Sequence, residues 1–308
     1  MSTPVVDTEV ESVKKAPKRV EGGVMSKPRG RVATVSMIVL SLIWLFPLLW
    51  ALVNSFRTYA YTQANGYLSF GGWTFENYVT AWDRAEFGLH FKNSMIITIP
   101  AVLLTLLLAS MMAFVLARFS YRFNLTLLGI FLAANLLPPQ ALLVPMFKIY
   151  ERIPLPLVMS DTELLLGSFW GLIIINVAFQ LGFCTFVLSN YMKTIPHEIY
   201  ESAQMDGASV FRQYWQLTMP LVRPALAALG TLQFTWIYNE FFWATVLLGG
   251  RGEKFPITSS LNNLRGQFFS DTNLVAAGSI LVALPVLLVF FLLQKQFVSG
   301  LTLGATKG

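Results

Sequence analysis

Apolar positions along this chain fall in long continuous runs, without the two-residue alternation or the one-sided helical spacing of a soluble fold. Six runs approach or exceed the roughly 20 apolar residues that a bilayer-crossing helix needs: 32–53, 93–117, 124–147, 164–192, 224–248 and 272–293. Five of them contain no Asp, Glu, Lys or Arg, and the run 224–248 contains only Glu240. Continuous runs predict helices, since barrel strands would alternate residue by residue. The pattern therefore predicts an all-α integral membrane protein of six transmembrane helices, folded as one domain over 32–297.

Interruptions within the runs carry the next layer of information. In the third run Pro138 and Pro139 stand side by side, with Pro145 beyond them. Two adjacent prolines break or kink a helix, and freed carbonyls are tolerated in lipid only where protein or a watery cavity covers them. The break is thus expected in the protein interior, beside any path through the molecule. Pro100 is expected in the first turns of the second span, where a missing amide costs least. Asn176 and Gln180 lie one turn apart on one face of the fourth span, either for contact with a solute or for bonds to neighbouring helices. Glu240 costs roughly 3 kcal/mol at a helix centre on insertion scales, so it should face an interior or a cavity. It also stands near the end of its run and is able to approach the outer interface.

Composition and charge agree with this class. The chain is 55% hydrophobic and 12% charged, against about 25% charged in soluble domains. A polar tail, 1–31, carries Lys14, Lys15, Lys18, Arg19, Lys27, Arg29 and Arg31. Beside a first span such a run reads as cytoplasmic retention and not as a nucleic-acid patch, and its composition favours disorder. No cleavable signal peptide is visible in it. Six spans then put both termini in the cytoplasm. The basic residues elsewhere are nearly balanced across the membrane, so the tail decides the orientation. Cys184 is alone, and His90 and His197 have no companion ligands, so no disulfide, metal centre, cofactor or catalytic triad is expected. Between the first two spans Trp73, Tyr78, Trp82 and Phe87 mix with Glu76, Asp83 and Glu86. This segment suits interfacial anchoring, or a surface for docking an external protein.

The polar interval 193–223 is the most informative stretch. Ile195-Pro196 stops one helix and starts another, and Ile199, Tyr200, Ala203 and Gly207 recur at helical spacing. Gly207 allows a tight turn. A second short helix over 210–217 is expected to present Phe211, Tyr214 and Trp215 as aromatic anchors of the kind that interfaces favour.

Over 196–225, Glu201, Ala203, Asp206, Gly207, Ala208, Pro220 and Pro224 resemble the cytoplasmic loop by which permease subunits of ATP-binding-cassette importers engage their ATPases. Ser202 stands where that family usually has alanine. Over 31–308 the chain is similar to the carbohydrate-importer branch, the second permease of the maltose type. Phe91-Lys92-Asn93-Ser94, Pro138-Pro139-Gln140 with Val144-Pro145, and Trp236-Ile237-Tyr238-Asn239-Glu240-Phe241 carry that likeness, with Tyr238 in place of tryptophan. The ending SGLTLGATKG carries it too.

The resemblance implies a type I importer permease in a bacterial cytoplasmic membrane. It would pair with a homologous permease subunit, two ATP-binding-cassette ATPases and an extracytoplasmic solute-binding protein, with a sugar as substrate. Glu201, Ala203, Asp206, Gly207, Ala208, Phe211 and Pro220 would then couple to the ATPase. Candidates for the translocation path are Asn176, Gln180, Thr235, Tyr238, Asn239, Glu240, Pro138 and Pro139, whose hydroxyls, amides and aromatic surroundings suit a sugar. The tail 298–308 would reach towards an ATPase, or end as a frayed terminus. The chain contains no G-x-x-x-x-G-K-[ST] phosphate loop, which leaves ATP hydrolysis to the partners. A glycerol phosphate, a polyol or a stand-alone secondary transporter remain the alternative readings.

Overall fold

A computed structural model describes residues 30–119, 121–250, 252–265 and 271–303. Most of the basic tail, 1–29, and the last part of the ending, 304–308, lie outside the described residues. The described residues contain no strand, only the isolated bridges Arg57 to Trp73 and Pro154 to Leu164. The helices are α1 (Arg31–Ser55), α2 (Tyr59–Asn65), α3 (Glu76–Arg84), α4 (Phe87–Arg118), α5 (Asn124–Asn135), α6 (Leu143–Tyr150) and α7 (Phe169–Met192). They continue with α8 (His197–Met205), α9 (Val210–Arg212), α10 (Met219–Tyr238), α11 (Phe242–Leu247), α12 (Ile257–Ser260) and α13 (Thr272–Leu303).

The chain divides into two units, Met1–Leu48 and Leu49–Gly308. In the first, the apolar α1 stretch closes the Ser41 hydroxyl on the Met37 carbonyl at 2.7 Å, a bond within the helix itself. In the second, α4 packs along α7, α10 lies against α13 and α4, and α5 lies against α7. Small residues make these approaches close: Ala101, Ala109 and Ala113 of α4 are fully buried. At Gly182 of α7 a Cβ would stand 2.8 Å from the Phe131 carbonyl of α5. Helices in lipid gain little from apolar burial alone, so such close backbone approach is what holds them.

Among the described residues, four helices are long and apolar enough to cross a membrane: Val32–Ser55, Phe87–Arg118, Phe169–Met192 and Thr272–Gln294. A fifth crossing exists if Asn124–Asn135 and Pro139–Tyr150, bent by 91°, count as one. The expected straight span over 224–248 is replaced by the 20-residue α10, a break at Asn239–Phe241, and the short α11. Pro220, Arg223, Pro224 and Gln233 dilute the apolar character of α10. Pro100 also differs from expectation. Because α4 starts at Phe87, this proline lies well inside the helix.

The early start of α4 has a local cause. His90 Nδ1 lies 2.7 Å from the Phe255 carbonyl, Asn93 Nδ2 donates to the Glu253 carbonyl at 2.8 Å, and Ser94 Oγ accepts from the Ile257 amide at 2.9 Å. Side-chain polarity is spent on a distant loop, so the helix continues through residues that hydropathy reads as its flank.

Between α1 and α4 the chain folds around Arg57, which is fully buried. Its guanidinium donates to Asn54 Oδ1 (2.8 Å), the Tyr67 carbonyl (2.9 Å), the Gly71 carbonyl (3.2 Å) and Ser69 Oγ (2.5 Å). A rigid five-donor fork met by neutral acceptors folds 57–71 back on itself. Asn77 Nδ2 then binds the Ser55 and Arg57 carbonyls at 3.0 and 2.8 Å, which fixes α3 beside this lobe.

Candidate functional site

The segment from α8 to the start of α10 is a closed helical knob. Pro196 is extended (φ −57°, ψ 136°) and hands the chain to α8. At the other end of α8 the Gly207 amide donates to the Gln204 carbonyl at 3.0 Å and the Ala208 amide to the Ala203 carbonyl at 2.9 Å. Gly207 itself has φ +76°. This is a Schellman closure, which places a left-handed residue after the helix cap and returns the next amide to the last full turn. The spacing from Ala203 to Asp206-Gly207-Ala208 therefore has a backbone meaning. Ser209 Oγ accepts from the Arg212 amide at 3.3 Å to start α9, and Gln213 Nε2 donates to the Ala208 carbonyl at 2.9 Å.

Residues Gln213–Thr218 wind as a π-helical turn that runs into α10 without a break. Tyr214 points inward: it is 4% exposed, its ring lies 5.4 Å from Phe114, and its hydroxyl is 2.7 Å from Ser110 Oγ of α4. Burial raises the Tyr214 phenol above its ordinary pKa while the Ser110 bond opposes the shift. The group thus remains a hydrogen-bond donor. Tyr200 of α8 is buried as well, and its hydroxyl pairs with Thr218 Oγ1 at 3.0 Å. At the end of α4, Arg118 donates to His197 Nε2 at 2.7 Å and lies over the Tyr200 ring at 5.1 Å. His197 Nδ1 is 3.2 Å from Glu201 Oε1. With Nε2 accepting, Nδ1 carries the proton that Glu201 receives.

The knob thus differs from expectation at Tyr214, a core residue and not an outward anchor. Phe211 (67% exposed) and Trp215 (45%) do face outward, joined by Met205 (89%), which sequence reasoning passed over. Glu201, Asp206, Gly207 and Pro220 are exposed, and Ala203 and Ala208 are half-buried.

A second feature lies further along the same helices. The bend after α5 opens a cavity of about 240 Å³ between the broken span, α7 and the α10–α11 break. Asn135, Pro139, Asn176, Gln180, Trp236 and Glu240 line it, with Phe179 and Phe242. Glu240 Oε1 accepts from the Trp243 amide at 2.7 Å and Oε2 from the Ala244 amide at 3.0 Å. The carboxylate therefore caps α11, and helix N-terminal amides favour a negative group there. That is how a charge stands within an otherwise apolar run. Asn176 Nδ2 is spent on the Leu172 carbonyl at 2.8 Å.

Four of the predicted path residues, Pro139, Asn176, Gln180 and Glu240, meet in this cavity. The others do not line it. Tyr238 is 1% exposed, donates to the Val282 carbonyl at 3.1 Å and stacks on Phe234, so it joins α10 to α13. Thr235 Oγ1 binds the Thr231 carbonyl at 2.9 Å, and the exposed Asn239 binds the Thr235 carbonyl at 2.8 Å. Pro138 is exposed beside the cavity mouth residue Pro139, so this chain alone does not enclose the break as expected. Asn135, Phe179 and Trp236 were not singled out for the path. Asn135 had one signal, a polar residue closing a helix just before the proline pair.

The described residues form an all-helical membrane fold with a bent span and a helical knob tied to the span ends, and known proteins of this kind are transport permeases. Residues 101–302 match the family of the binding-protein-dependent transport system inner membrane component, and the chain belongs to that family. A probable ABC transporter permease of Pyrococcus horikoshii is 33% identical over 271 residues, covering 85% of this chain and 92% of the relative. The diacetylchitobiose uptake system permease of Streptomyces coelicolor is 31% identical, covering 89% of each chain. The melibiose/raffinose/stachyose import permease of Bacillus subtilis is 30% identical over 76% of this chain and 82% of its own. In fold, the chain is similar to a subunit of a bacterial ABC transporter that imports alginate, with a TM-score of 0.69, 24% identity, and coverage of 86% of this chain and 95% of that one. The fold is that of a type I importer permease.

Proposed function

We propose that this chain is one permease of an ATP-driven importer of a neutral oligosaccharide, sharing the translocation path with a homologous permease. The observation that carries the solute reading is the cavity where Asn176, Gln180 and Glu240 stand beside Trp236 and Phe242. Amides and a carboxylate match sugar hydroxyls, and aromatic faces match ring C–H surfaces. Among the residues lining it there is no Lys or Arg to meet a phosphate ester. The names of the relatives that take up diacetylchitobiose and raffinose-type sugars support the same class.

In this reading the knob of α8, α9 and the π turn is cytoplasmic, as are both termini. Two ATPase subunits dock on the knobs of the two permeases, with Glu201, Ala203, Asp206, Gly207, Ala208, Phe211 and Pro220 forming this chain's share. An extracytoplasmic binding protein delivers the solute from the other side. ATP-driven closure moves the knob as a rigid body, and α10 carries the displacement to the cavity wall. ATP hydrolysis resides wholly in the partner subunits.

Uptake of labelled neutral oligosaccharides, polyols and glycerol phosphate by cells with and without the chain tests this reading. Loss confined to one oligosaccharide is expected, together with copurification of an ATPase. Loss confined to glycerol phosphate, or uptake in the absence of any copurifying ATPase, overturns it.

A further inference from the structure

We infer that α3 is an interfacial membrane anchor, lying at the headgroup level of the leaflet where α1 ends and α4 begins. The nine-residue α3 has three stripes. Asn77, Ala81 and the following Ala85 are buried against the body. Phe75 (75% exposed), Val79 (62%) and Trp82 (49%), at i, i+4 and i+7, form an apolar line that the described residues leave largely open, Phe75 meeting only the edge of Phe56 at 5.2 Å between ring centres. Glu76, Thr80 and Asp83 form a polar line on its flank, and all three are exposed. At about 100° per residue the apolar and polar lines sit about a quarter-turn apart. A helix so divided lies flat at a boundary, with its apolar line in the acyl region and its acids in water.

The occupant of the apolar line is argued from continuity with the lipid-facing surface. The Trp82 ring packs edge-on against Phe87 at 6.4 Å, and its Cζ2 lies 3.8 Å from where a Cβ on Gly88 would stand. Trp82 thus rests on the first turn of α4. From there the exposed face of α4 continues through Leu89, Ile96, Ile99 and Leu103. Lys92 emerges on the same face between Leu89 and Ile96, where a basic side chain of a membrane helix extends to headgroup phosphates. Trp82 and Lys92 therefore mark one level, and Trp at such a level is what bilayer interfaces select. The buried Arg57 lobe and the two Asn77 bonds fix α3 at that height. The inference needs only a membrane-spanning α4, so it stands or falls independently of the solute and of the ATPase docking.

The test is photo-cross-linking in the intact transporter, in membranes carrying radiolabelled phospholipid. A benzophenone side chain is introduced at Val79 in one sample and at Asp83 in another. Phospholipid adducts at Val79, at least ten-fold above those at Asp83, are the expected result. A protein adduct at Val79 overturns the proposal in favour of a docking surface for a partner subunit. Equal yields at both positions, or no lipid adduct at either, overturn it in favour of a solvent-facing helix.

Discussion

Tyr214 donates its phenolic hydrogen to Ser110 Oγ at 2.7 Å, because the Ser110 hydroxyl is itself committed as a donor to the Leu107 carbonyl at 2.9 Å. One bond therefore ties the π turn to the last third of α4. Tyr214→Phe keeps the ring packing on Phe114 and should cost about 0.5–1.5 kcal/mol of stability. Ser110→Ala should cost a similar amount, and the double variant less than the sum by about 1 kcal/mol. Thermal unfolding of the purified assembly gives all three numbers. Strict additivity would mean that the contact transmits nothing.

Gly207 has room for a side chain but a backbone that most other residues resist. A Cβ there meets nothing within 4 Å, yet φ is +76°. Gly207→Val should cost more than the roughly 1–2 kcal/mol that a left-handed L-residue pays, while Gly207→Asn should be much milder. On the coupling reading, Gly207→Val reduces uptake and ATPase copurification together while the chain still reaches the membrane. Unchanged uptake would remove the knob from the coupling path.

Two glycines inside long helices, Gly182 of α7 and Gly230 of α10, should respond oppositely to alanine. At Gly182 a Cβ would stand 2.8 Å from a backbone carbonyl and 2.9 Å from Asn135 Nδ2. The backbone cannot swing aside, so α5 must shift, costing about 1–3 kcal/mol and distorting the wall that Asn135 gives the cavity. At Gly230 the nearest atom is the Leu106 Cδ1 at 3.4 Å. Alanine there should be neutral or should stabilise by up to about 1 kcal/mol. Thermal midpoints and the solute KM of the two variants distinguish the sites.

Glu240 both lines the cavity and caps α11. Glu240→Ala leaves the Trp243 and Ala244 amides without their acceptor and should cost about 1–2 kcal/mol. Glu240→Gln retains one acceptor oxygen and should hold the fold. If the carboxylate touches solute, the Gln variant raises KM with little loss of stability. A normal KM in a stable Gln variant assigns Glu240 to capping alone.

The residues explain which parts of this architecture were legible in advance. The apolar runs located α1, α4, α5, α7 and α13 because a bilayer demands length and apolarity, and both are local properties. The Asp206-Gly207 break was legible for a similar reason, since a Schellman closure depends on one residue's φ. Tyr214 was misjudged because an aromatic residue on a polar loop looks alike whether it anchors outward or inward. Its direction is set by Ser110, which is 104 positions away. The start of α4 and the burial of Arg57 depend on carbonyls supplied by distant or folded-back loops, and hydropathy does not register them. For the cavity, the ingredients at Pro139, Asn176 and Glu240 were visible one by one. Their convergence required the 91° bend.

The π turn at Gln213–Thr218 amounts to a one-residue insertion carried inside a continuous helix. An α-helix advances about 100° per residue, and the wider π turn advances less, so its six residues cover about the rotation of five α-helical ones. The extra residue is absorbed inside the turn, and α10 leaves it with Trp236 and Glu240 on the cavity wall and Tyr238 at the Val282 carbonyl. A chain one residue shorter there would keep the face of α10 by winding the segment as ordinary α-helix. It would lose instead the local spacing that sends Tyr214 to Ser110 and Thr218 to Tyr200.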